Sequence, residues 1–579
     1  MIQARAALQM GGQRGATGAP FLRPGSRVFV FRQASKLRAP GAMNAPCAST
    51  LAPRPLCRAS APSMIPLRLL CCALAPMLAA CATLPPLSGR TESQAIVDTD
   101  ETLLGQAIAP LAAQFPGASG VRPLPDPLEA FAARLLLARS ATRGLDVQYY
   151  IWRGDTTGLV MLDALREAAA RGVRVRLLLD DNGIAGLDDA LAALDALDHV
   201  EVRLFNPFAQ RRLRALGYVT DFSRLNRRMH NKSFTADGVA SIVGGRNVGD
   251  EYFGAGDGTL FQDLDVLAVG PVAAEVSAAF DQYWNSASAY PIGALVRAPD
   301  GPSREQLLQR AREARGTPRA AAYGEALVRT PLARQLQEHH LDLEWAPVRL
   351  VTDAPGKALG KAAPGELLAQ RLRGVMGVAR REVDLVSPYF VPGAAGTRSL
   401  TELAAGGVRV RVLTNSLAAT DVSAVHAGYA RRREALVRGG VRLFELKRNL
   451  LSPGEPAGEP DRRLFGGSSA ASLHAKTFAV DRERVFVGSF NFDPRSTSLN
   501  TELGVVIHSP RLAGALSDAL EARLSRVAYE VVPAARGNGI EWIDRGEGGE
   551  VRLSHEPETG AWRRFGVGLL SVLPIEWLL

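Results

Sequence analysis

The chain has 579 residues, 47% of them hydrophobic and 22% charged, an ordinary globular composition with room for two large domains. A formal charge of +10 would favour nucleic acid or an anionic surface as partner, but residues 1–80 hold ten Lys or Arg and no acid. From Cys81 onward 58 basic residues face 58 acidic ones, and all five cysteines (Cys47, Cys57, Cys71, Cys72, Cys81) lie at or before position 81, so the body has neither a basic excess nor a thiol for a disulfide or a zinc site.

In chain order, residues 1–63 are rich in Ala, Arg, Pro and Ser without a clear period, and are expected to be a non-native or disordered leader upstream of the true start. Residues 64–81, "MIPLRLLCCALAPMLAAC", have the basic start and short apolar run of a secretory signal and are too short and interrupted for a comfortable membrane span. Residues 82–125 follow as an N-terminal linker. The first domain is expected over 126–297, a polar, punctuated connector over 298–335, a second domain over 336–545 and a tail over 546–579.

The two domains are one sequence written twice. "LDVQYYIW" from Leu145 recurs as "VDLVSPYF" from Val383, "GVRVRLLLDD" from Gly172 as "GVRVRVLTNS" from Gly407, and "VRLFN" from Val202 as "VRLFE" from Val441. Short β-branched runs alternate with helical stretches such as "GLVMLDALREAAARG", which ends on Gly172. The expected fold class is α/β: two tandem α/β/α halves, each a mixed, largely parallel sheet flanked by helices, packed about a pseudo-two-fold axis with one shared active site.

The fourth repeat carries chemistry. The pattern His-x-Lys-x4-Asp-x6-Gly-[Gly/Ser]-x-Asn is met by His230, Lys232, Asp237, Gly244, Gly245 and Asn247, and again by His474, Lys476, Asp481, Gly488, Ser489 and Asn491. On a strand, His and Lys two apart share a face. "FTAD" and "FAVD" then turn the chain, "SIVGG" and "VFVGS" return as partner strands, and the small residues admit a ligand close to the backbone beside the Asn amides. Two His, two Lys and two Asn in one centre suit a phosphodiester: the cations and amides hold its oxygens, one neutral His attacks phosphorus and the other protonates the leaving oxygen.

These residues resemble the phospholipase D superfamily, whose members carry two His-Lys-Asp motifs. From about Leu128 to Leu579, "ALGYVTDFSRLNRRMHNKSF", "GGRNVGDEYF", "ATDVSAVHAGYARRREAL" and "LLSVLPIEWLL" are similar to its bacterial cardiolipin synthase C branch. The resemblance implies a phosphatidyltransferase working through phosphatidyl-histidine, with hydrolysis to phosphatidic acid as the alternative and a phosphodiesterase or nuclease behind it. It implies His230 as nucleophile, no metal and no cofactor, and a carboxylate downstream of each motif that orients that motif's own His: Asp263, or Asp265 in its place, for the first and Glu502 for the second. Asp237 and Asp481, grouped with the catalytic residues by the motif, are expected to hold turns. Gly245 stands where the superfamily more often has Ser, and is a weaker ligand candidate than Ser489.

Leu78-Ala79-Ala80-Cys81 resembles a lipoprotein cleavage box, implying a protein held at the bacterial cell envelope by a lipidated Cys81 and facing the periplasm; Ala82 argues for the outer membrane against the inner one where cardiolipin is made. The tail "AWRRFGVGLLSVLPIEWLL" suits a membrane interface or docking into the protein's own core. Expected partners are phosphatidylglycerol, phosphatidylethanolamine and a membrane surface, with no nucleic acid and both motifs working in a monomer. Arg211, Arg212, Arg214, Arg224, Arg227 and Arg228 could seat phosphates of either lipid or DNA. The loop "SPGEPAGEPDRR" is a candidate lid, His339 and His340 read as solvent-facing, and His426 is a candidate substrate contact.

Overall fold

The computed structural model describes residues 83–211, 213–254, 260–338, 341–448, 471–546 and 549–579, all within the compact unit Leu70–Leu579. The leader, the signal segment with Cys81, Ala82, Arg212, the His339–His340 pair and the candidate lid at 452–463 lie outside the described residues.

The first half contains β1 (Ser119–Leu124), β2 (Gly144–Ile151), β3 (Arg174–Gly183), β4 (Val200–Phe205), β5 (Ser233–Ala236), β6 (Ala240–Gly244), β7 (Leu260–Gln262), β8 (Asp265–Val269) and β9 (Ala289–Pro291). With β10 (Glu344–Ala346) and without β7 they form a sheet of order β10-β1-β8-β6-β5-β2-β3-β4-β9. The second half repeats this with β11 (Val348–Thr352), β12 (Glu382–Val386), β13 (Arg409–Asn415), β14 (Arg442–Leu446), β15 (Ala471–Leu473), β16 (Thr477–Val480), β17 (Arg484–Gly488), β18 (Leu503–His508), β19 (Ala528–Pro533), β20 (Ile540–Gly546) and β21 (Gly549–Leu553). Its sheet order is β11-β18-β17-β16-β12-β13-β14-β19-β20-β21, with β15 outside.

Helices α1 (Pro127–Ser140), α2 (Thr156–Ala170), α3 (Arg214–Thr220) and α4 (Pro271–Trp284) belong to the first half, and α5 (Ser423–Ala430), α6 (Pro510–Val527) and α7 (Ala561–Val572) to the second. Local chemistry sets their starts. Asp126, Asp155 and Ser509 accept from Glu129 N, Gly158 N and Leu512 N at the heads of α1, α2 and α6, and Pro follows the cap in α1 and α6. Gly172, at φ +87°, follows the end of α2 as the repeat predicts.

The sheets are mixed, but parallel pairing is confined to β2-β3-β4 and β12-β13-β14. All other pairs in both sheets are antiparallel, because each motif folds back as a hairpin, β5–β6 or β16–β17, and a hairpin cannot pair parallel. The expectation of largely parallel sheets is corrected accordingly.

The expected segment limits also shift. Residues 119–124, read as linker, are β1, which pairs with β8 continuously from Gly120 to Leu124. The connector is helical over Gly301–Ala314, Pro318–Arg329 and Pro331–Gln337, and buries Ala314, Ala320, Tyr323 and Leu332 in the first half's core. β21 carries the second sheet beyond residue 545. The chain crosses between halves at Pro347, where β10 closes one sheet and β11 opens the other. Val121, Val266, Ala346, Val348, Val487 and Val505 join the halves in one apolar layer.

Candidate active site

His230-Asn231-Lys232 and His474-Ala475-Lys476 each occupy the irregular step just before a strand, β5 or β16. They were expected within the strand; they leave it because the preceding backbone pairs with the other half. Met229 bridges Thr501, His230 N donates to Thr501 O (2.8 Å) and Thr501 N to Arg228 O (2.9 Å). On the other side β15 pairs with β7, and His474 N donates to Gln262 O (2.7 Å). The two exchanges are reciprocal, which brings both motifs to one centre about a pseudo-two-fold relation.

The same exchange decides the carboxylates. Thr501 precedes Glu502 and Gln262 precedes Asp263, so each carboxylate is delivered to the histidine of the opposite half. His230 Nδ1 lies 2.9 Å from Glu502 Oε2, and His474 Nδ1 lies 2.5 Å from Asp263 Oδ2. The expectation that each carboxylate serves its own motif's histidine is therefore corrected: the pairing is crossed. Asp265, the alternative to Asp263, instead holds Arg134 (2.8 Å) and Arg246 (3.2 Å).

Both pairs are buried, and they are not alike. Burial would raise Asp263, but His474, Lys476 and Arg246 hold it at about 2. Burial lifts Glu502 to about 7 against the pull of Lys232, Ser489 and Ser496. Burial, then Lys232 and Lys476, push His230 well below an ordinary histidine; burial and Lys476 lower His474 while Asp263 supports its charged form. Each Lys Nζ donates to the carbonyl of its own motif's His, at 2.6 Å for Lys232. Lys476 Nζ also lies 3.1 Å from His474 Nδ1, a nitrogen that already gives its hydrogen to Asp263, so that contact is electrostatic. Burial lowers both lysines.

The remaining motif residues divide by role. Counting Asp237 and Asp481 with the catalytic groups needs correction: they lie beyond the far ends of β5 and β16 and hold turns. Asp237 accepts from Thr142 N, Arg143 N and Gly144 N, and Asp481 from Arg380 N, Arg381 N and Glu382 N. Gly245 is a seat for Asp263, since a Cβ there would run into both carboxylate oxygens. The matching Ser489 gives its hydroxyl to Glu502. Asn247 is committed to the scaffold through Ile151 N (3.1 Å) and Tyr252 OH (2.9 Å). Asn491 Oδ1 is buried with no partner, so of the two amides it is the one available to a ligand.

Several residues at the site were not singled out by their sequence. Tyr150 meets the His230 ring edge-on at 5.0 Å, and Tyr252 and Phe261 meet His474 at 5.3 and 5.1 Å. Tyr389 donates to Asp421 (2.7 Å), and Asn182 links Tyr150 to Tyr218. The signal was present in "QYYIW" and "SPYF", aromatic in both repeats, and in "EYF" of the first half. Lys357, buried, bonds Asp353 (2.9 Å) and Ser496 O (2.7 Å), and Asp353 in turn accepts from Glu502 N (2.9 Å); nothing in the sequence around Lys357 marks it.

Two candidates are reassigned. His426 is buried and bonded to Glu556 (3.1 Å), a contact that anchors the tail. Four of the arginines before His230 are paired: Arg211 with Asp181 (2.5 Å), Arg214 with Asp188 (2.8 Å), Arg224 with Asp221 (2.6 Å) and Arg228 with Asp180 (2.7 Å), while Arg227 donates to the Lys357 and Ser498 carbonyls.

Two lysines, and two imidazoles whose Nδ1 atoms face carboxylates and whose Nε2 atoms are left over, define a centre built for nucleophilic displacement and proton transfer at a phosphodiester. The family model "Cardiolipin synthase, PLD-like domain" matches residues 136–284 and 372–524, and the chain belongs to that family. It is 48% identical over 479 residues to cardiolipin synthase C of Escherichia coli (strain K12), covering 82% of this chain and 99% of that one. Cardiolipin synthase B of the same strain is 26% identical over 66% of this chain and 75% of its own. A cardiolipin synthase of Staphylococcus aureus (strain Mu50) is 25% identical over 72% of this chain and 69% of its own.

Proposed function

We propose that the protein is a phosphatidyltransferase of the cardiolipin synthase type, which moves a phosphatidyl group from one phospholipid onto a glycerol hydroxyl of phosphatidylglycerol. The observation that carries this reading is the pair of crossed carboxylate–histidine contacts in a chain 48% identical to a cardiolipin synthase C across 99% of its length. His230 is the nucleophile, because burial and two lysines keep its ring neutral; His474, backed by ionised Asp263, carries the proton in transit.

In the first step His230 Nε2 bonds phosphorus, the bond to the leaving headgroup oxygen breaks, and that oxygen takes a proton from His474. In the second, the hydroxyl of phosphatidylglycerol returns a proton to His474, attacks phosphorus and releases His230. Lys232 and Lys476 stabilise the oxygens of both transition states. Positioned proton transfer of this kind contributes about a hundred- to ten-thousand-fold.

The substrates place the enzyme at a membrane. Among the described residues no helix is long and apolar enough to cross one. A lipidated Cys81 supplies attachment in this reading, with the body facing the periplasm.

The test is lipid mass spectrometry of the purified protein, His230→Ala and His474→Ala on vesicles of phosphatidylglycerol and phosphatidylethanolamine. Cardiolipin from the wild type alone is expected. Phosphatidic acid alone would replace transfer by hydrolysis, and no lipid turnover would refute both.

A further inference from the structure

Two stretches of the chain leave rows of large apolar side chains in solvent. On and beside α3, Leu213, Leu216, Val219 and Phe222 recur every third residue, with Val219 81% exposed. On α7, Trp562, Phe565, Leu569 and Val572 recur at three and four, with Trp562 87% exposed, while Val567 on the opposite face packs with Leu417 and Ala427. A helix with one face docked and the other apolar and open is not fully partnered by its own chain.

Both rows are linked through side-chain contacts to residues around the histidines. From α3, Tyr218 donates to Asn182 (2.9 Å), Asn182 reaches Tyr150 (3.4 Å), and Tyr150 abuts the His230 ring. From α7, Arg563 reaches Thr420 O (3.3 Å), next to the Asp421 that holds Tyr389. One residue joins the two stretches. Arg495 N donates to Leu579 O (2.8 Å) and its guanidinium to Leu578 O (3.1 Å) at the chain end, and to Asn226 Oδ1 (2.5 Å) just after the α3 segment. Trp577, 59% exposed, continues the α7 row toward that junction.

We infer that α3 and α7 together form a lipid-facing rim around the cleft, which docks on a phospholipid bilayer and opens the site toward it. The choice of lipid as occupant rests on the phosphatidyl-transfer reading, since the surface that covers the rim must also deliver the substrate to the histidines between its two parts. Composition supports it independently: Trp562, Phe565 and Trp577 beside Arg563 and Arg564 match the amphipathic belt of an interfacial helix.

The experiment uses the full chain with Cys81→Ser, so that acyl chains cannot hold it, and flotation with phosphatidylethanolamine–phosphatidylglycerol vesicles. Leu216→Ser with Val219→Ser, and Trp562→Ser with Phe565→Ser, should each lower vesicle partition roughly tenfold, and all four together roughly a hundredfold. Turnover of a short-chain phospholipid dispersed as monomers should be unchanged in every variant. Undiminished partition in the four-site variant overturns the rim, as does a loss of self-association on size exclusion without a change in partition, which would make the occupant a second copy. If the wild type turns over neither lipid form the transfer reading fails instead, and partition still decides the rim.

Discussion

Asp263→Asn separates the crossed arrangement from the uncrossed one. The contact to His474 Nδ1 is 2.5 Å long between buried groups, and losing one partner of a buried charged pair costs about 3–5 kcal/mol. Asparagine keeps one acceptor oxygen at the same place, so the loss to transition-state stabilisation should be about 2–4 kcal/mol, or roughly thirty- to a thousandfold in transfer rate. The sign of the pH effect follows from the charge. Asp263 favours protonated His474, so its removal lowers the pKa of His474 further, and the basic limb of the rate profile moves to lower pH. The assay is cardiolipin formation against pH beside nitrogen NMR of labelled histidines, of which the chain has eight. His474 should change tautomer balance and titration while His230 keeps both, and Glu502→Gln should do the reverse. A His230 resonance that moves in Asp263→Asn while His474 stays fixed would refute the crossed pairing.

Asp237→Ala removes the acceptor of three backbone N–H groups at a residue with φ +52°, so it should cost about 2–3 kcal/mol in denaturant unfolding while the pH profile of the remaining activity stays in place. Gly245→Ser should drive Asp263 off His474 and lower transfer by about a hundredfold, and adding Asp263→Glu, which copies the Ser489–Glu502 seat of the second half, should recover part of it; equal activity in wild type and single variant would show that the seat is loose. Glu502 holds a proton up to about 7 in the folded state, whereas an unfolded glutamate releases it near ~4.3, so wild-type stability falls as pH rises through that window. The stability of Glu502→Gln relative to wild type should accordingly climb between about pH 5 and about pH 8, by about 3 kcal/mol at most, in urea titrations at each pH; a flat difference would mean Glu502 is ionised throughout. Cys81→Ser should remove the diacylglyceryl mass from the mature N-terminus and move the protein out of the membrane-anchored fraction; an unchanged mass would end the lipoprotein reading.

The sequence by itself determined which groups meet. Duplication put His, Lys, Asp and Asn at matched spacing in two halves, and since equal sequences fold alike, two copies of one α/β unit with their motifs at equivalent places were legible before any coordinates. Turn chemistry was legible too: the Asp after "FTA" and "FAV" had to cap a reversal, and in both halves it does. What the sequence could not state is which half serves which. Glu502 and Asp263 each follow their own motif in the chain, and the family resemblance assigns each to that motif's histidine. Only the backbone exchange of Thr501 with His230, and of Gln262 with His474, carries them across. The difference between the two histidines is likewise tertiary, because it depends on burial and on which cation lies behind each carboxylate: Arg246 near Asp263, Lys357 tied to Asp353 near Glu502. The arginine run before His230 shows the same limit. Its charge is plain in the sequence, but Asp180 and Asp181 at the end of β3 and Asp188 just beyond it pair with Arg211, Arg214 and Arg228, which only folding brings alongside, because Coulomb attraction depends on distance in space and not on separation along the chain.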